Sequence, residues 1–303
     1  MLIECIPNIS EGRRPDVVTD IIAAIKGIAG ISWLDQSSDA DHNRSVLTFL
    51  GTPDALFQGI DVLYAKAAEH IDMMHHQGEH PRMGAVDVVP FVPISGATMA
   101  DCIALAQRVG AHIAEKYSVP MTLYEEAASA PHRRNLAQVR KGEFEGLAAK
   151  LQTPEWKPDY GPAHPHPHLG ATAVGAREAL IAYNVYLDTA DVAIAQEIAK
   201  AIRGSSGGLS AVKAMGLLIE ERGCTQVSMN LVNYRKNPLY RVVEMIRFEA
   251  ARWGVRVTST EIVGLVPQDA LLESAAYYLQ IEGYRADMVL ENRVRDAQSS
   301  NNV

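Results

Sequence analysis

No cysteine framework is available to this chain. Its three cysteines, Cys5, Cys102 and Cys224, are odd in number, far apart and without a C-x-x-C pair. That excludes a disulfide scaffold and leads to the expectation of a reducing, cytoplasmic compartment. Long uncharged apolar runs are also missing, because Asp, Glu, Lys or Arg interrupts each one, so no membrane span is expected. The opening MLIECIPNISEGRR lacks the basic start, apolar stretch and cleavage site of a secretory signal. There is no basic excess either: 28 Lys and Arg against 36 Asp and Glu give a net charge of −8, which argues against a nucleic-acid partner. No GxxxxGK[ST] phosphate loop occurs, and GSSGG at 204–208, although it spells G-x-S-x-G, lacks the strand-turn-helix setting of a nucleophile elbow or a dinucleotide loop.

What is present is an ordinary globular composition, 48% apolar and 21% charged, over 303 residues, a length that favours two domains. Residues 2–6, 31–35, 45–51 and 86–93 read as strands. Residues 14–28 and 53–72 read as helices, the first with Val17, Ile21, Ile22 and Ile25 at helical spacing. The order is β-α-β-β-α-β, followed by a helix near 98–117, a strand at 120–124 and a basic amphipathic segment. After residue 180 the order recurs: strand 180–188, helix 189–204, two strands within 211–234 joined at ERGC, helix 237–254, strand 255–267 and a final helix. An α+β class follows, with two ferredoxin-like (βαββαβ) subdomains, 1–179 and 180–303, each a mixed sheet with helices packed on one face. Residues 126–170 read mostly as loop, and the polar tail 296–303 as frayed.

Four segments resist explanation by packing alone. PNISEG (7–12) puts Asn8, Ser10 and Glu11 directly after the first strand. DHNRS (41–45) carries Asn43 and Arg44. QGEHPRMGAVD (77–87) gathers Glu79, His80 and Arg82 around a proline. That proline biases His80 towards an extended backbone, and Gly78 and Gly84 would contribute conformational freedom. DYGPAHPHPHLGATAVGAR (159–177) is rich in Pro and Gly. Singly, each has a bland explanation: a helix cap, hairpin polars, a surface histidine. The HPHPH run at 164–168 offers imidazoles, but no carboxylates or thiols at matching spacing accompany it, so an exposed linker without metal is expected.

In combination and in this order, IECIPNISEGR, HQGEHPRMGAVDVVPFVP, GATAVGAR with LIAYNVYL, TQVSMNL and IVGLVPQDALLESAAYY resemble the glutamate formiminotransferase family over nearly the whole chain. The resemblance implies a folate enzyme of histidine breakdown that moves a formimino group between N5 of tetrahydrofolate, its co-substrate, and L-glutamate. It also implies two subdomains with the folate cleft between them, and a homodimer. Animal members continue into a helical cyclodeaminase domain, which this chain is expected not to reach. His80 corresponds to the family's catalytic histidine. The folate-binding segment corresponds to Gly161, Pro162, Ala163, His164, Pro165, His166, Pro167, His168, Leu169 and Gly170.

The residue types suit that chemistry. An unperturbed imidazole titrates at about 6.5 and can both take and return a proton near neutrality. Arg82, two residues on, suits a substrate carboxylate, whereas Glu79 would point elsewhere on an extended chain. Asn8, Asn43, Arg44, Glu79 and Arg82 are the expected substrate contacts. An acidic protein that binds folate and glutamate must concentrate positive charge locally, with Arg44, Arg82, Arg133, Arg134, Arg177 and Lys213 as candidates. Two other readings use the same residues: formyl transfer from 5-formyltetrahydrofolate to glutamate, and a folate-binding protein without catalysis.

Overall fold

The computed structural model describes residues 1–300. The chain divides into two compact units, Met1–Glu178 and the part from Ala179 onward.

The first unit runs β1 (Leu2–Cys5), β2 (Asn8–Ile9), α1 (Pro15–Lys26), β3 (Ile31–Asp39), β4 (Arg44–Gly51), α2 (Pro53–His70) and β5 (Val86–Ser95). It continues with α3 (Met99–Tyr117), β6 (Met121–Glu125), α4 (Leu136–Arg140), α5 (Glu143–Lys150) and β7 (Thr172–Ala176). Each main helix begins where its sequence provides a start. Pro15 and Pro53 occupy first-turn positions, Thr52 accepts from Ala55, and Thr98 forms a capping box with Asp101. The apolar stripe of α1, Val17, Val18, Ile21, Ile22 and Ile25, is wholly buried, each side chain contributing about 1.5–3 kcal/mol by leaving water.

The sheet has the order β1-β4-β2-β5-β7-β6, with β3 on β4. β7 is parallel to both β5 and β6, and the remaining pairs are antiparallel. The segment TAVGA, expected within a Pro- and Gly-rich passage, is therefore a buried central strand. Its small residues show no alternation; strands on both sides satisfy its backbone. Residues 126–170 also hold more structure than expected. Val139 of α4 and Leu147 of α5 pack with Val88, Tyr124 and Ala173 on the opposite sheet face from Val89, Phe91, Val174 and Ala176. This adds a second helical cover to the one face expected. Lys150 ties the short α4 down by donating to the carbonyls of Gln138 (2.8 Å), Val139 (2.6 Å) and Lys141 (2.9 Å).

The second unit runs β8 (Ile181–Leu187), α6 (Val192–Ile202), β9 (Val212–Ile219), β10 (Cys224–Leu231), α7 (Leu239–Arg252), β11 (Val257–Val263), α8 (Gln268–Tyr278) and α9 (Leu290–Ser300). Its sheet order is β11-β8-β10-β9, antiparallel throughout where a mixed sheet was expected. Ile181, Tyr183, Val185 and Leu187 alternate towards Ile198, Ile202, Val242 and Ile246, so α6 and α7 share one face of the sheet. The tail expected to fray from 296 continues α9 as far as Ser300; 301–303 lie outside the described residues.

Candidate active site

Three loops of the first unit are knitted together at the C-terminal side of β2. Ser10 donates its N–H to Ala85 O (2.9 Å) and its hydroxyl to Gly84 O (2.8 Å). Asn43, at φ +47, a conformation Asn tolerates better than most residues, is the hub. Its amide donates to Gln77 O (2.9 Å), its side-chain oxygen accepts from Gly12 N (3.0 Å), and its carbonyl accepts from His76 Nε2 (3.0 Å). Gly78 and Gly84 are needed for proximity rather than for the conformational freedom expected of them. A Cβ on Gly78 would lie 2.3 Å from His42 O, and one on Gly84 2.4 Å from Ala171 O, while neither residue has a positive φ. The loop carrying His80 is thus pressed against the 41–44 turn on one side and the approach to β7 on the other.

The loops close around a recess lined by Ser10, Asn43, Arg44, His80, Arg82 and Asp87, together with His42 and His76, too tight in this conformation to hold a water molecule. Asp87, 2% exposed, accepts from Met83 N–H (2.8 Å) and from the Arg140 guanidinium. Arg44 Nη1 meets His80 Nε2. A guanidinium can only donate, so Nε2 is bare and the ring hydrogen belongs on Nδ1. Arg44 Nε and His80 Nδ1 are both buried and have no hydrogen-bond partner. Burial first, then the charges of Arg44 and Arg140, pushes His80 down to about 3, so the ring is neutral over the physiological range. Burial and Arg140 lower the pKa of Arg44 as well. The site is a cationic recess around an uncharged imidazole.

Residues 2–177 match the N-terminal subdomain of the formiminotransferase domain, and residues 182–298 match the formiminotransferase domain. The chain belongs to the formiminotransferase family. It is 49% identical to a Streptococcus pyogenes protein named glutamate formimidoyltransferase, covering 97% of this chain and 98% of that one. A Thermoplasma acidophilum protein of the same name is 45% identical, with 98% of each covered. The formimidoyltransferase-cyclodeaminase of Gallus gallus is 42% identical over 93% of this chain but only 53% of its own length.

Within this member of the family, the residues singled out from sequence divide into two groups. His80, Asn43 and Arg44 line the same recess. Arg82 lines it too, but its fork is committed to protein carboxylates: Nη1 donates to Glu143 (3.0 Å) and Glu145 (2.9 Å), and Nη2 to Glu145 (2.6 Å). The expected substrate clamp is here an ion pair holding α5 to the histidine loop. Asn8 turns its amide back onto Ile6 O (3.2 Å), and Glu79 is exposed, its N–H donated to Asp41 O (3.1 Å). Of the cations expected to gather, Arg133 is paired with Asp159 (2.7 Å), Arg134 with Glu126, and Arg177 donates to Glu178 O (2.9 Å). Lys213 lies in the second unit, on β9.

The run Gly161–Gly170 is not the linker its prolines suggest. His166 and Gly170 exchange N–H···O bonds of 2.9 and 2.8 Å, and His166 Nδ1 accepts from His168 N and Leu169 N. Gly170, at φ +70, then pairs with Gly84 of the histidine loop. His168 bonds Asp72 (3.0 Å), and that contact leads in lowering the Asp72 carboxyl to about 2. Among the described residues, one group has atoms close enough to share a metal ion, Asp20, Glu69 and His70, and it includes none of these histidines. Asp87, Arg140, His42 and His76 are the residues at the site that sequence reasoning passed over. Asp87 leaves a trace, a lone carboxylate inside the apolar run VDVVPFVP; Arg140 leaves none.

Proposed function

We propose that the protein is a glutamate formimidoyltransferase, catalysing 5-formiminotetrahydrofolate + L-glutamate ⇌ tetrahydrofolate + N-formimino-L-glutamate. The observation that carries this reading is near-full-length similarity, at 45–49% identity, to two proteins bearing that name. The glutamate amine attacks the formimino carbon, the carbon–N5 bond of the donor breaks, and one proton leaves the incoming nitrogen while another reaches N5. His80 is the group that carries the proton between them. Its seat in a recess walled by Arg44 supports the role, since the amino-acid substrate brings carboxylates to be neutralised.

Folate is assigned to residues 161–170, which run beside the start of β5 through the Gly84–Gly170 pairing. The recess is too tight in this conformation to hold even a water molecule, so a substrate group enters it only by displacing a lining side chain. A cytoplasmic location, supported by three free cysteines, and homodimer assembly, carried by the family resemblance, complete the proposal. The test is a coupled assay for tetrahydrofolate released from 5-formiminotetrahydrofolate in the presence of L-glutamate. No glutamate-dependent release would overturn it.

A further inference from the structure

We infer that Arg44 is a substrate-released latch on His80: its guanidinium caps Nε2 in the free enzyme and leaves it for a carboxylate of the amino-acid substrate, baring the nitrogen that takes the proton. The inference rests on His80 being the proton carrier. In the free geometry that role is blocked at both nitrogens. Nε2 already accepts from Arg44 Nη1, and Nδ1 bears the ring hydrogen, so neither has a lone pair open to a new proton.

Arg44 is also the cation of this recess free to respond. Arg82 is tied to Glu143 and Glu145, and Arg140 to Asp87, whereas none of the ion pairs among the described residues includes Arg44. Its Nε–H is buried without an acceptor. The recess has no room for a water molecule while Arg44 sits on the ring, so a carboxylate reaches the guanidinium only as it swings off, and can then take Nε–H and an Nη–H together, the bidentate geometry that guanidinium favours. That contact replaces an imidazole by an anion, the stronger acceptor for a guanidinium, and this difference is what favours the exchange. The charged and titratable groups around His80 are Arg44 on β4, Arg140 on α4, Asp87 on β5, Arg82 and His76 of its own loop and the neighbouring His42. Of these, Arg44 alone touches the ring through a hydrogen bond. The latch gives the enzyme ordered activation: His80 becomes basic only when the acceptor's negative charge is in place.

The experiment is long-range ¹H–¹⁵N correlation on full-length protein labelled at histidine, with His80 assigned by loss of its signals in His80→Gln. Free protein should show an Nδ1–H ring that stays neutral well below pH 6. Saturating glutarate, a dicarboxylate without an amine, should shift the Nε2 resonance and move the ring's titration upward, whereas L-glutamine at the same concentration should do less. In Arg44→Gln the ring should titrate nearer its ordinary value without ligand and respond little to glutarate. In the same variant KM for glutamate should rise about 10- to 100-fold through loss of a charge-assisted contact. Unmoved His80 signals on adding glutarate to the unmodified protein would overturn the latch, and this reading needs no variant to fold. A ring that responds to glutarate in a protein without formimino transfer would instead overturn the proposed reaction and leave the latch standing.

Discussion

Replacing Arg82 with methionine separates a substrate clamp from a structural tie. Its side chain is 10% exposed and makes contacts of 3.0, 2.9 and 2.6 Å to two glutamates. Breaking a pair buried at both ends typically costs about 3–5 kcal/mol, because a charge is left stranded. Here the stranded groups are Glu143 and Glu145, 42% and 64% exposed, which water can resolvate. Their contribution therefore falls towards the roughly 0–1 kcal/mol of surface pairs. Methionine fills the space of the aliphatic stem, so cavity formation adds little. The net expected loss is about 1–2 kcal/mol, read as a fall of about 0.5–1 M in the urea midpoint. A double-mutant cycle with Glu145→Gln should return a coupling energy of about 0.5–1 kcal/mol. Glutamate KM should stay within about twofold of the unmodified enzyme. Unchanged stability with a KM raised tenfold or more would show that Arg82 binds substrate and that the ion pair is incidental.

Substituting His80 by Ala should lower turnover by about 10²–10⁴ while folate affinity, measured by direct titration, stays close to the original value; normal turnover would remove His80 from the chemistry. Gly84→Ala must push back two backbone carbonyls, Ala171 O at 2.4 Å and Leu169 O at 2.5 Å, and should cost about 1–3 kcal/mol in denaturant titration together with activity. Full stability in that variant would mean that the histidine loop is not pinned there. His80 also links stability to pH. Its folded-state value is about 3 and its unfolded value about 6.5, so the unfolded chain binds the proton first as pH falls. The contribution is fully present above about pH 6.5 and is lost progressively towards pH 3. His80→Gln should flatten that part of the stability curve, and an identical acid slope in the variant would place the ring's titration elsewhere.

Legibility from sequence followed the range of the interaction involved. The stripe of α1, the proline starts of α1 and α2 and the threonine cap of α3 are all set within a few residues, so spacing alone announces them. β7 is invisible to the same reading. TAVGA is a strand because β5 and β6 each offer it a parallel hydrogen-bonding edge, and neither edge is a neighbour in sequence. The short α4 and α5 are stabilised by the sheet face beneath them and by Lys150, not by length or propensity.

The candidate site divides along the same line. The chain's own text determined the family and the two-unit α+β class, and singled out a histidine that lines the recess, because these rest on motif identity and local pattern. Tertiary structure alone decided what each charge does. Arg82 finds carboxylates 61 and 63 residues away, Arg140 finds Asp87 at a separation of 53, and Arg44 meets His80 across 36. A guanidinium reads the same in sequence whether it clamps a helix, neutralises a buried aspartate or caps an imidazole. Only the partner that folding brings within reach, and the water that folding removes, separates those roles.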